Sequence, residues 1–370
     1  MNIRAAILWE QGQPLSVEPA ELGSPGPGEV LVEVKAAGVC HSDLHPVRGD
    51  WSMRVPVVLG HEGAGVVQEV GAGVTRLRPG DHVVLCWAPA CGACRPCLEG
   101  RPVICDRLEK TTYRNRLPSG ETRLRARGQD VAVFLGTACF ADHVVVAEAG
   151  AIAVPRDVTF DALATVGCAV VTGVGAVMTA AHVPKGASVA VIGAGGVGLN
   201  VVQGAAIVGC ERIIAVDRRP APLALARAFG ATDTIEAAPS VPDAIRDLTR
   251  GRGADYVFDT VGTTATLDDA VASAGKGGTI VLTGLTGIDT LASFPMFPLV
   301  MQEKRVIGSV YGSGNPAEDI PRLVSLYQAG RLKLHELVTR TYALDGVNQA
   351  LEALASAEGA RGVIRWPSMT

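Results

Sequence analysis

A glycine-rich loop between an apolar run and a helical pattern constrains the fold of this 370-residue chain more than any other segment. The run ASVAVIG (187–193) leads directly into G-x-G-x-x-G, formed by Gly193, Gly195 and Gly198, and then into VGLNVVQGAAIVG (197–209). The first glycine permits a tight turn, the second lets the backbone approach a pyrophosphate, and the third lets the helix pack on the strand. The helix N-terminus adds partial positive charge. The sequence therefore predicts a dinucleotide site here.

Short apolar runs alternate with helical patterns throughout the region that contains this loop. The runs are typical of strands buried on both faces, and they comprise ASVAVIG, RIIAVD (212–217), ADYVFDTVG (254–262) and GGTIVLTG (277–284). The helical patterns lie at 197–209, 221–230, 241–251 and 266–275. This alternation predicts an α/β fold with a doubly wound parallel sheet of the Rossmann type.

An acidic residue follows the glycine loop at the distance expected of a ribose-binding group. Asp217 ends the run RIIAVD, 19 residues after Gly198. A carboxylate at this place binds the adenosine ribose hydroxyls and repels a 2′-phosphate, which favours NAD. Arg218 and Arg219 come next and could bind that phosphate instead, as in an NADP enzyme. We expect NAD, with further contacts from two other loop residues, Gly196 and Val197.

The first third of the chain has a different pattern. GEVLVEVKAAGV (28–39), GAGVVQEVGAGV (63–74) and GDHVVLCW (80–87) alternate apolar and polar residues between glycines, which predicts a compact antiparallel domain of short strands. The segment 105–135 is polar and basic, and we interpret it as a surface excursion. The tail is helical and ends in a last strand, ARGVIRW (360–366). At roughly 150 residues per domain, the length predicts two domains.

Composition excludes several classes of protein. The net charge of −4 without a basic block argues against nucleic-acid binding. We expect no membrane association, because we find no apolar run of about 18 residues, and no signal peptide, because Glu10 and Gln11 interrupt the N-terminal apolar stretch. A cytoplasmic location is expected. Nine cysteines in such a chain indicate metal or catalytic groups before disulfides.

The cysteines form one compact group and several isolated positions. Cys91, Cys94, Cys97 and Cys105 lie within fifteen residues, a spacing that suits a closed structural zinc site. Closely spaced cysteines also hold iron–sulfur clusters, so spacing alone leaves both metals open. Three further candidates for metal binding are scattered and cannot be linked by spacing: Cys40 in CHSDLH, His61 in GHEGAG and Cys168 in VGCAVVTG.

Taken together, the motifs resemble the zinc-dependent medium-chain alcohol dehydrogenase family over nearly the whole chain. The matching segments, in order, are GVCHSDLH (38–45), LGHEGAG (59–65), CGACRPCLEGRPVIC (91–105), FLGTACFADHVVV (134–146), GCAVVTGVGAV (167–177), VAVIGAGGVGLNVVQGA (189–205) and IIAVD (213–217). The excursion at 105–135 is similar to the longer forms of the family, the liver-type and glutathione-dependent formaldehyde enzymes.

The resemblance implies a domain organisation and two metal sites. A GroES-like catalytic domain would comprise 1–169 and 312–370, with a structural zinc lobe at about 86–110 and a Rossmann domain at 170–311. The resemblance implies two zinc ions per chain: a catalytic one on Cys40, His61 and Cys168, and a structural one on Cys91, Cys94, Cys97 and Cys105. It also implies a homodimer joined at the edges of the Rossmann sheets, for which the apolar segment 294–310 is suitable.

The resemblance further implies roles for individual residues. Glu62 and Asp43 match acids behind the metal ligands, and Ser42 and His45 match the two ends of a relay that carries the substrate proton through the nicotinamide ribose to solvent. The implied cofactor contacts outside the glycine loop are His41, Thr172, Val261, Gly284, Leu285 and Arg361. His41 and Arg361 would be pyrophosphate-binding cations, with Arg365 as the alternative to Arg361. Pro222 departs from the family, in which lysine is common at this position.

The aromatic residues bear on the substrate. Trp51, Trp87 and Phe140 match positions that line the substrate cleft of the family, although each could equally be a core aromatic. Flat walls favour aryl or allylic primary alcohols. The sequence thus predicts an NAD- and zinc-dependent alcohol dehydrogenase, with a thiol-dependent formaldehyde dehydrogenase as the alternative enzyme. A redox-sensing dinucleotide-binding protein is the non-enzyme alternative.

Overall fold

The structure, a computed structural model that describes residues 1–237 and 240–366, divides the chain into two units. The split unit comprises Met1–Cys168, Asn315–Gly330 and Leu334–Thr370, and the inserted unit comprises Ala169–Gly314 and Arg331–Lys333. The sequence placed the boundaries after residues 169 and 311 and did not anticipate the return of 331–333 to the inserted unit. That return has a local cause, because the Gln203 side chain donates to the Lys333 carbonyl (3.0 Å) and accepts from its amide (2.7 Å).

The strands of the described residues are, in chain order, β1 (Asn2–Leu8), β2 (Ser16–Leu22), β3 (Glu29–Val39), β4 (Val57–Val58), β5 (Glu62–Val70), β6 (His82–Leu85), β7 (Leu124–Ala126), β8 (Gln129–Asp130), β9 (Ala132–Val133), β10 (His143–Ala147), β11 (Ala151–Val154), β12 (Ser188–Ile192), β13 (Arg212–Asp217), β14 (Asp233–Glu236), β15 (Ala254–Asp259), β16 (Ala274–Leu282), β17 (Arg305–Gly308), β18 (Val338–Tyr342) and β19 (Arg361–Arg365).

The α-helices of the same residues are α1 (His41–Arg48), α2 (Arg95–Leu98), α3 (Phe160–Thr165), α4 (Val171–Gly175), α5 (Gly196–Val208), α6 (Pro220–Phe229), α7 (Val241–Leu248), α8 (Thr264–Ser273), α9 (Met296–Met301), α10 (Pro316–Gln328) and α11 (Val347–Ala355). Two π-helical stretches, Val166–Val170 and Ala176–Ala180, continue α3 and α4.

The split unit contains two sheets that are mostly antiparallel. In the described residues, one has the order β8-β7-β2-β1-β4-β9, and the other has the order β11-β6-β5-β3-β19-β18, with β10 also pairing with β3. The central strand β3 buries almost every residue, because it is paired on both sides and covered by α3 and the core. The predicted antiparallel domain of short strands is confirmed.

The interpretation of 105–135 as a surface excursion was wrong for part of its length. Leu117 and Val131 have no exposed surface, and β7 and β9 extend the first sheet by pairing with β2 and β4. The buried carboxylate of Glu29 holds the segment in place by accepting from the Ser119 hydroxyl (2.7 Å) and the Arg123 guanidinium (3.0 Å). The segment is rich in arginine, and its inward-pointing apolar residues stand singly among polar ones. They therefore form no apolar run that would predict burial.

The inserted unit is a parallel sheet whose strands alternate with helices. Its order is β14-β13-β12-β15-β16-β17 over the described residues, so the first strand β12 is central and the chain winds outward from it in both directions. This is the strand order of a dinucleotide-binding fold, and the predicted Rossmann-type α/β class is confirmed. The sequence missed β14 and β17, which are short, partly exposed edge strands and therefore lack a long apolar run.

One helix is longer and more apolar than the sequence analysis allowed. The continuous helix Phe160–Ala180 has the length and composition of a membrane span, so the expectation that no apolar run reaches about 18 residues was wrong. However, 72% of its most apolar window is buried, with α3 packed on β3 and β5 and α4 packed on α5. This burial is typical of a core helix, and its polar residues Thr165 and Thr172 are buried as well.

Candidate functional site

The four clustered cysteines converge as their spacing predicted. The Cys94 sulfur lies 3.4 Å from that of Cys97 and 3.7 Å from that of Cys105, and all four sulfurs lie within 4.8 Å of one another. The Cys91 sulfur accepts the amides of Ala93 and Cys94, each at 3.4 Å, and these donors lower its pKa to about 6. Four thiols with amide donors around them fit a closed, structural zinc site.

A second group joins residues that are far apart in the chain. Ligand atoms of Cys40, His61, Glu62 and Cys168 lie within 4.8 Å of one another. Cys40 follows β3, and His61 directly precedes Glu62, the first residue of β5. The pairing of Gly38 with Glu62 brings these two strand ends together. Cys168 comes from the π-helical turn of the long helix, a local widening that is frequent at functional sites. The sequence could not link these residues, and Glu62 joins them as a fourth candidate ligand.

The buried carboxylate of Asp43 organises this group. Its Oδ1 accepts from the Nδ1–H of His61 (2.9 Å) and from the amide of Gly60 (3.0 Å), and its Oδ2 accepts from the amide of Cys40 (3.0 Å). Burial would lower the pKa of His61, but the Asp43 charge raises it well above its usual range. With Nδ1 engaged, Nε2 is the nitrogen left for a metal, an arrangement in which the carboxylate orients the ligand.

The thiols of this group favour one thiolate. A hydrogen bond from Cys168 lowers the pKa of Cys40 well below its usual range, assisted by the positive charge of Arg361 and opposed by burial. The same bond, together with burial, raises the pKa of Cys168. A buried thiolate, a thiol and an oriented imidazole form a donor set that suits Zn²⁺. The carboxylate oxygen Oε2 of Glu62 is buried without a hydrogen-bond partner among the described residues. An unpaired buried carboxylate oxygen also fits a cation at this site.

Arg361 lies inside the split unit, although the sequence predicted a cofactor-binding cation there. Only 3% of it is exposed, its Nη2 donates to Glu62 (2.6 Å), and its Nη1 donates to the carbonyl of Val39 (3.2 Å). Burial raises the pKa of Glu62 to about 8, against the opposing charge of Arg361. The alternative cation, Arg365, pairs with Asp161 at the surface. Arg361 therefore has a structural partner that the sequence did not reveal, and its contact with a cofactor stays a prediction.

Helix α1 carries the residues of the predicted relay, Ser42 in its first turn and His45 in its last. Ser42 is half-buried and lies two positions after Cys40. The Nδ1 of His45 lies 3.0 Å from Asp50 Oδ2, and its ring stacks on Trp51 at 4.6 Å. Desolvation lowers the pKa of His41, which weakens the cationic role that the sequence assigned to it. These relay and cofactor roles stay predictions.

The predicted pocket aromatics have different environments. Phe140 has no exposed surface, and its ring is so close to Gly60 that a Cβ there would lie 2.6 Å from it. This packing is typical of a core aromatic, the alternative that the sequence left open, and a role of Phe140 in lining the cleft stays a prediction. Trp87 is also buried, with its ring 6.5 Å from that of Tyr113. Trp51 is half-buried beside the relay histidine.

In the inserted unit the three glycines of the loop have the geometry that each role requires. Gly193 has a φ of +93°, and a Cβ there would lie 2.6 Å from Val261. A Cβ at Gly198 would lie 1.8 Å from the Gly193 carbonyl, so only glycine allows this helix and strand to pack. At Gly195 nothing lies within 4 Å of a Cβ, which leaves the space open for a pyrophosphate. Gly196 and Val197 begin α5.

The remaining cofactor candidates of this unit lie at the carboxyl ends of its strands. Asp217 accepts from the amide of Ala194 in the glycine loop (2.9 Å), and Arg218 is exposed beside it. Gly262 touches Gly284, so that the predicted nicotinamide loops meet. Within these loops, Val261 and Leu285 are exposed and Gly284 is half-buried. Thr172, in α4, is 8% exposed. The arrangement fits a dinucleotide at this edge of the sheet.

Sequence reasoning missed two carboxylates, Asp259 and Asp50, that contact predicted site residues. Asp259 accepts from the amides of Val261 (3.0 Å) and Gly262 (3.1 Å) and thereby shapes one nicotinamide loop. Its position at the end of a buried strand was a usable signal. Asp50 carried no such signal, because it lies in an unremarkable polar turn.

Comparison with known proteins defines the class to which this architecture belongs. The alcohol dehydrogenase GroES-like domain matches residues 26–156, and the zinc-binding dehydrogenase domain matches residues 196–329. The NDMA-dependent alcohol dehydrogenase of Amycolatopsis methanolica is 40% identical over 367 residues, covering 98% of this chain and 99% of that protein.

Two solved structures are similar over almost the entire chain. An alcohol dehydrogenase zinc-binding domain protein from Burkholderia ambifaria has a TM-score of 0.94 at 37% identity and covers 100% of both chains. The benzyl alcohol dehydrogenase of Acinetobacter calcoaceticus has a TM-score of 0.93 at 33% identity, covering 99% of this chain and 100% of that one.

These matches define a two-domain, zinc-binding dehydrogenase. The chain belongs to the zinc-dependent medium-chain alcohol dehydrogenase family, as its motifs predicted, and it is an enzyme that uses zinc and a nicotinamide dinucleotide. The non-enzyme alternative is therefore set aside.

Proposed function

We propose that this protein interconverts a primary aryl or allylic alcohol and its aldehyde, with NAD as the hydride acceptor and two zinc ions per chain. The convergence of Cys40, His61 and Cys168 on one point carries the proposal. Zinc, when bound there, supplies a Lewis acid that favours loss of the alcohol proton. Cys91, Cys94, Cys97 and Cys105 would hold the second ion.

This chain's own residues orient and deprotonate the substrate. Asp43 fixes the ring of His61, so that the ligand presents one nitrogen only. The Ser42 hydroxyl accepts the substrate proton while it gives up its own, and this second proton is relayed to His45, which releases a proton to solvent. A nicotinamide bound at the glycine loop would supply the acceptor for the hydride of the α-carbon.

NAD is favoured by Asp217, which lies against the glycine loop. We expect the unmodified enzyme to prefer NAD in kcat/KM, because the carboxylate repels a 2′-phosphate. Asp217→Ala should shift the preference toward NADP, because Arg218 is exposed beside the site. Asp233→Ala, which removes a carboxylate on the neighbouring strand β14, serves as the control. Equal or better kcat/KM with NADP in the unmodified protein would contradict the assignment.

The flat substrate is suggested by Trp51, which stands beside the relay histidine, and by the benzyl alcohol activity in the name of a structural relative. The test is a panel of benzyl-type, terpenoid and short alkyl alcohols, assayed by NAD reduction at 340 nm. A parallel assay uses NDMA as acceptor, because a relative is named for it. Turnover that requires NDMA and is not supported by added NAD would contradict the proposal that NAD is the hydride acceptor.

A thiol-dependent formaldehyde dehydrogenase is the alternative enzyme that the sequence predicts. Formaldehyde is therefore included in the panel with and without glutathione or mycothiol. A kcat/KM that is highest for formaldehyde plus thiol would replace the aryl alcohol proposal, whereas indifference to the thiol supports it.

We also propose a cytoplasmic homodimer. None of the nine cysteines, all of which the structure describes, forms a disulfide, which suits a reducing compartment. The edge strand β17 is preceded by exposed apolar side chains on α9: Met296, Phe297, Val300 and Met301, each 66–76% exposed. A second copy of the same edge would cover them.

Light scattering should give twice the chain mass of 38.2 kDa. Phe297→Glu should produce monomers, because it places a charge in the apolar contact. Leu98→Glu, at an apolar side chain that is 75% exposed in the split unit, should leave the dimer intact. A Phe297→Glu protein that remains dimeric would exclude this surface.

A further inference from the structure

The turn after α1 places a carboxylate against the relay histidine. The helix ends at Arg48, and Gly49 adopts a φ of +81°, which reverses the chain. The amide of Asp50 then donates to the carbonyl of His45 (3.0 Å), and its Oδ2 lies 3.0 Å from His45 Nδ1. A positive φ of this kind favours glycine, so the local sequence determines where Asp50 lies.

The same turn fixes the ring from a second side. The indole of Trp51 stacks on His45 with centroids 4.6 Å apart and an interplanar angle of 19°. The amide nitrogen of Gln11 donates to the carbonyls of Trp51 (2.8 Å) and Pro46 (3.1 Å), which ties the turn to the end of the helix. His45 is thus held by a hydrogen bond at one edge and a ring contact on one face.

Contact between a histidine Nδ1 and a carboxylate is selective in this molecule. Among the described residues, it occurs at His61, on Asp43, and at His45, on Asp50. At His82 and His143 the buried Nδ1 has no hydrogen-bond partner among the residues that the structure describes. The two oriented histidines are therefore the candidate metal ligand and the candidate proton acceptor.

We propose that Asp50 is a positioning residue that fixes the tautomer of His45. A neutral imidazole donates through one nitrogen and accepts through the other. Because the Asp50 carboxylate accepts the Nδ1–H, the lone pair is on Nε2. Nε2 therefore takes the proton released by the alcohol, and Nε2–H then returns the proton to water.

The histidine is placed for both steps, since its side chain is 17% exposed and that of Asp50 is 42% exposed. The inference rests on the proposed function, because Asp50 acts only through His45. It can nevertheless be measured without turnover.

The first test is spectroscopic. Long-range ¹H–¹⁵N NMR of histidine-labelled protein reports which imidazole nitrogen carries the proton, and His45→Gln identifies the His45 signals. The unmodified protein should show Nδ1–H at His45, and Asp50→Ala should lose that preference. An unchanged tautomer in Asp50→Ala would overturn the proposal, whether or not an alcohol is turned over.

The second test is a double-mutant cycle on kcat. Asp50→Ala should lower kcat about tenfold with little change in KM for the alcohol, a part of the 10²–10⁴-fold that acid–base groups contribute. It should have no further effect in the His45→Gln background, because the residue through which it acts is gone. Asp50→Asn, whose carbonyl oxygen still accepts the Nδ1–H, should lose less.

The control for charge is Glu10→Ala, at an exposed carboxylate of the same unit, which should leave kcat unchanged. Equal losses from Asp50→Ala in both backgrounds, or no loss in the unmodified background, would overturn the proposal. Failure of the proposed function is a separate result: the unmodified enzyme would then turn over no alcohol, while the NMR signals still report on His45.

Discussion

Cys168→Ser is expected to abolish alcohol turnover while leaving the fold intact. The Cys168 sulfur lies within 4.8 Å of the Cys40, His61 and Glu62 ligand atoms. Serine is nearly isosteric, but its hydroxyl does not ionise near neutral pH and is a poor zinc ligand. The expected protein retains about one zinc, shows background turnover with benzyl alcohol, and melts within a few degrees of the unmodified enzyme. Elemental analysis, kinetics and thermal unfolding check the three statements.

Cys97→Ser is the matched comparison, because it makes the same chemical change in the other group of ligands. It leaves a closed site with three thiols, and the surrounding lobe loses the metal that holds it together. A marked fall in Tm is expected here. Equal falls in Tm for the two variants would show that the division into catalytic and structural sites is wrong.

Ser42→Ala is expected to lower kcat by roughly 10²–10⁴-fold, the range of general acid–base contributions. Ser42 is half-buried in the first turn of α1, two positions after the candidate ligand Cys40. The substitution removes one oxygen and preserves a good helix former, so Tm should change little. The measurement is steady-state kcat with benzyl alcohol, with Ser42→Thr as the variant that restores the hydroxyl.

His45→Gln should have the smaller effect of the two, because water can replace an outer member of the relay. Its loss should be greatest at and below neutral pH, where hydroxide is scarce, and added imidazole should restore part of it. If Ser42→Ala retains full kcat, or if His45→Gln has an unchanged pH–rate profile, the relay is not used.

The parts of this enzyme that could be predicted from sequence are those determined by nearby residues. The roles of Gly193, Gly195 and Gly198 follow from spacing, because a strand, a turn and a helix in succession leave little geometric freedom. The four-cysteine lobe is predictable for the same reason.

The second metal group could not be predicted from the spacing of its residues in the sequence. It depends on the register of β3 against β5 and on where a long helix places Cys168. The family resemblance supplied the grouping, and the structure supplied the geometry.

Arg361 shows a different limit. A basic residue at the start of a short strand is usually exposed, and nothing local indicates that it is buried against Glu62. The interpretation of segment 105–135 was partly wrong for a related reason: its buried residues, such as Leu117 and Val131, stand singly among polar neighbours. Burial of this kind is decided by partners distant in sequence, so pattern alone does not report it.

The most direct test of the central claim follows the hydrogen that is transferred. The purified enzyme is incubated with benzyl alcohol that carries deuterium at both α-positions and with NAD, and the reduced cofactor is analysed by mass spectrometry. Direct hydride transfer predicts NADH that contains one deuterium per molecule, formed together with benzaldehyde that retains the other. Unlabelled NADH, or benzaldehyde formed without reduction of NAD, would contradict the account.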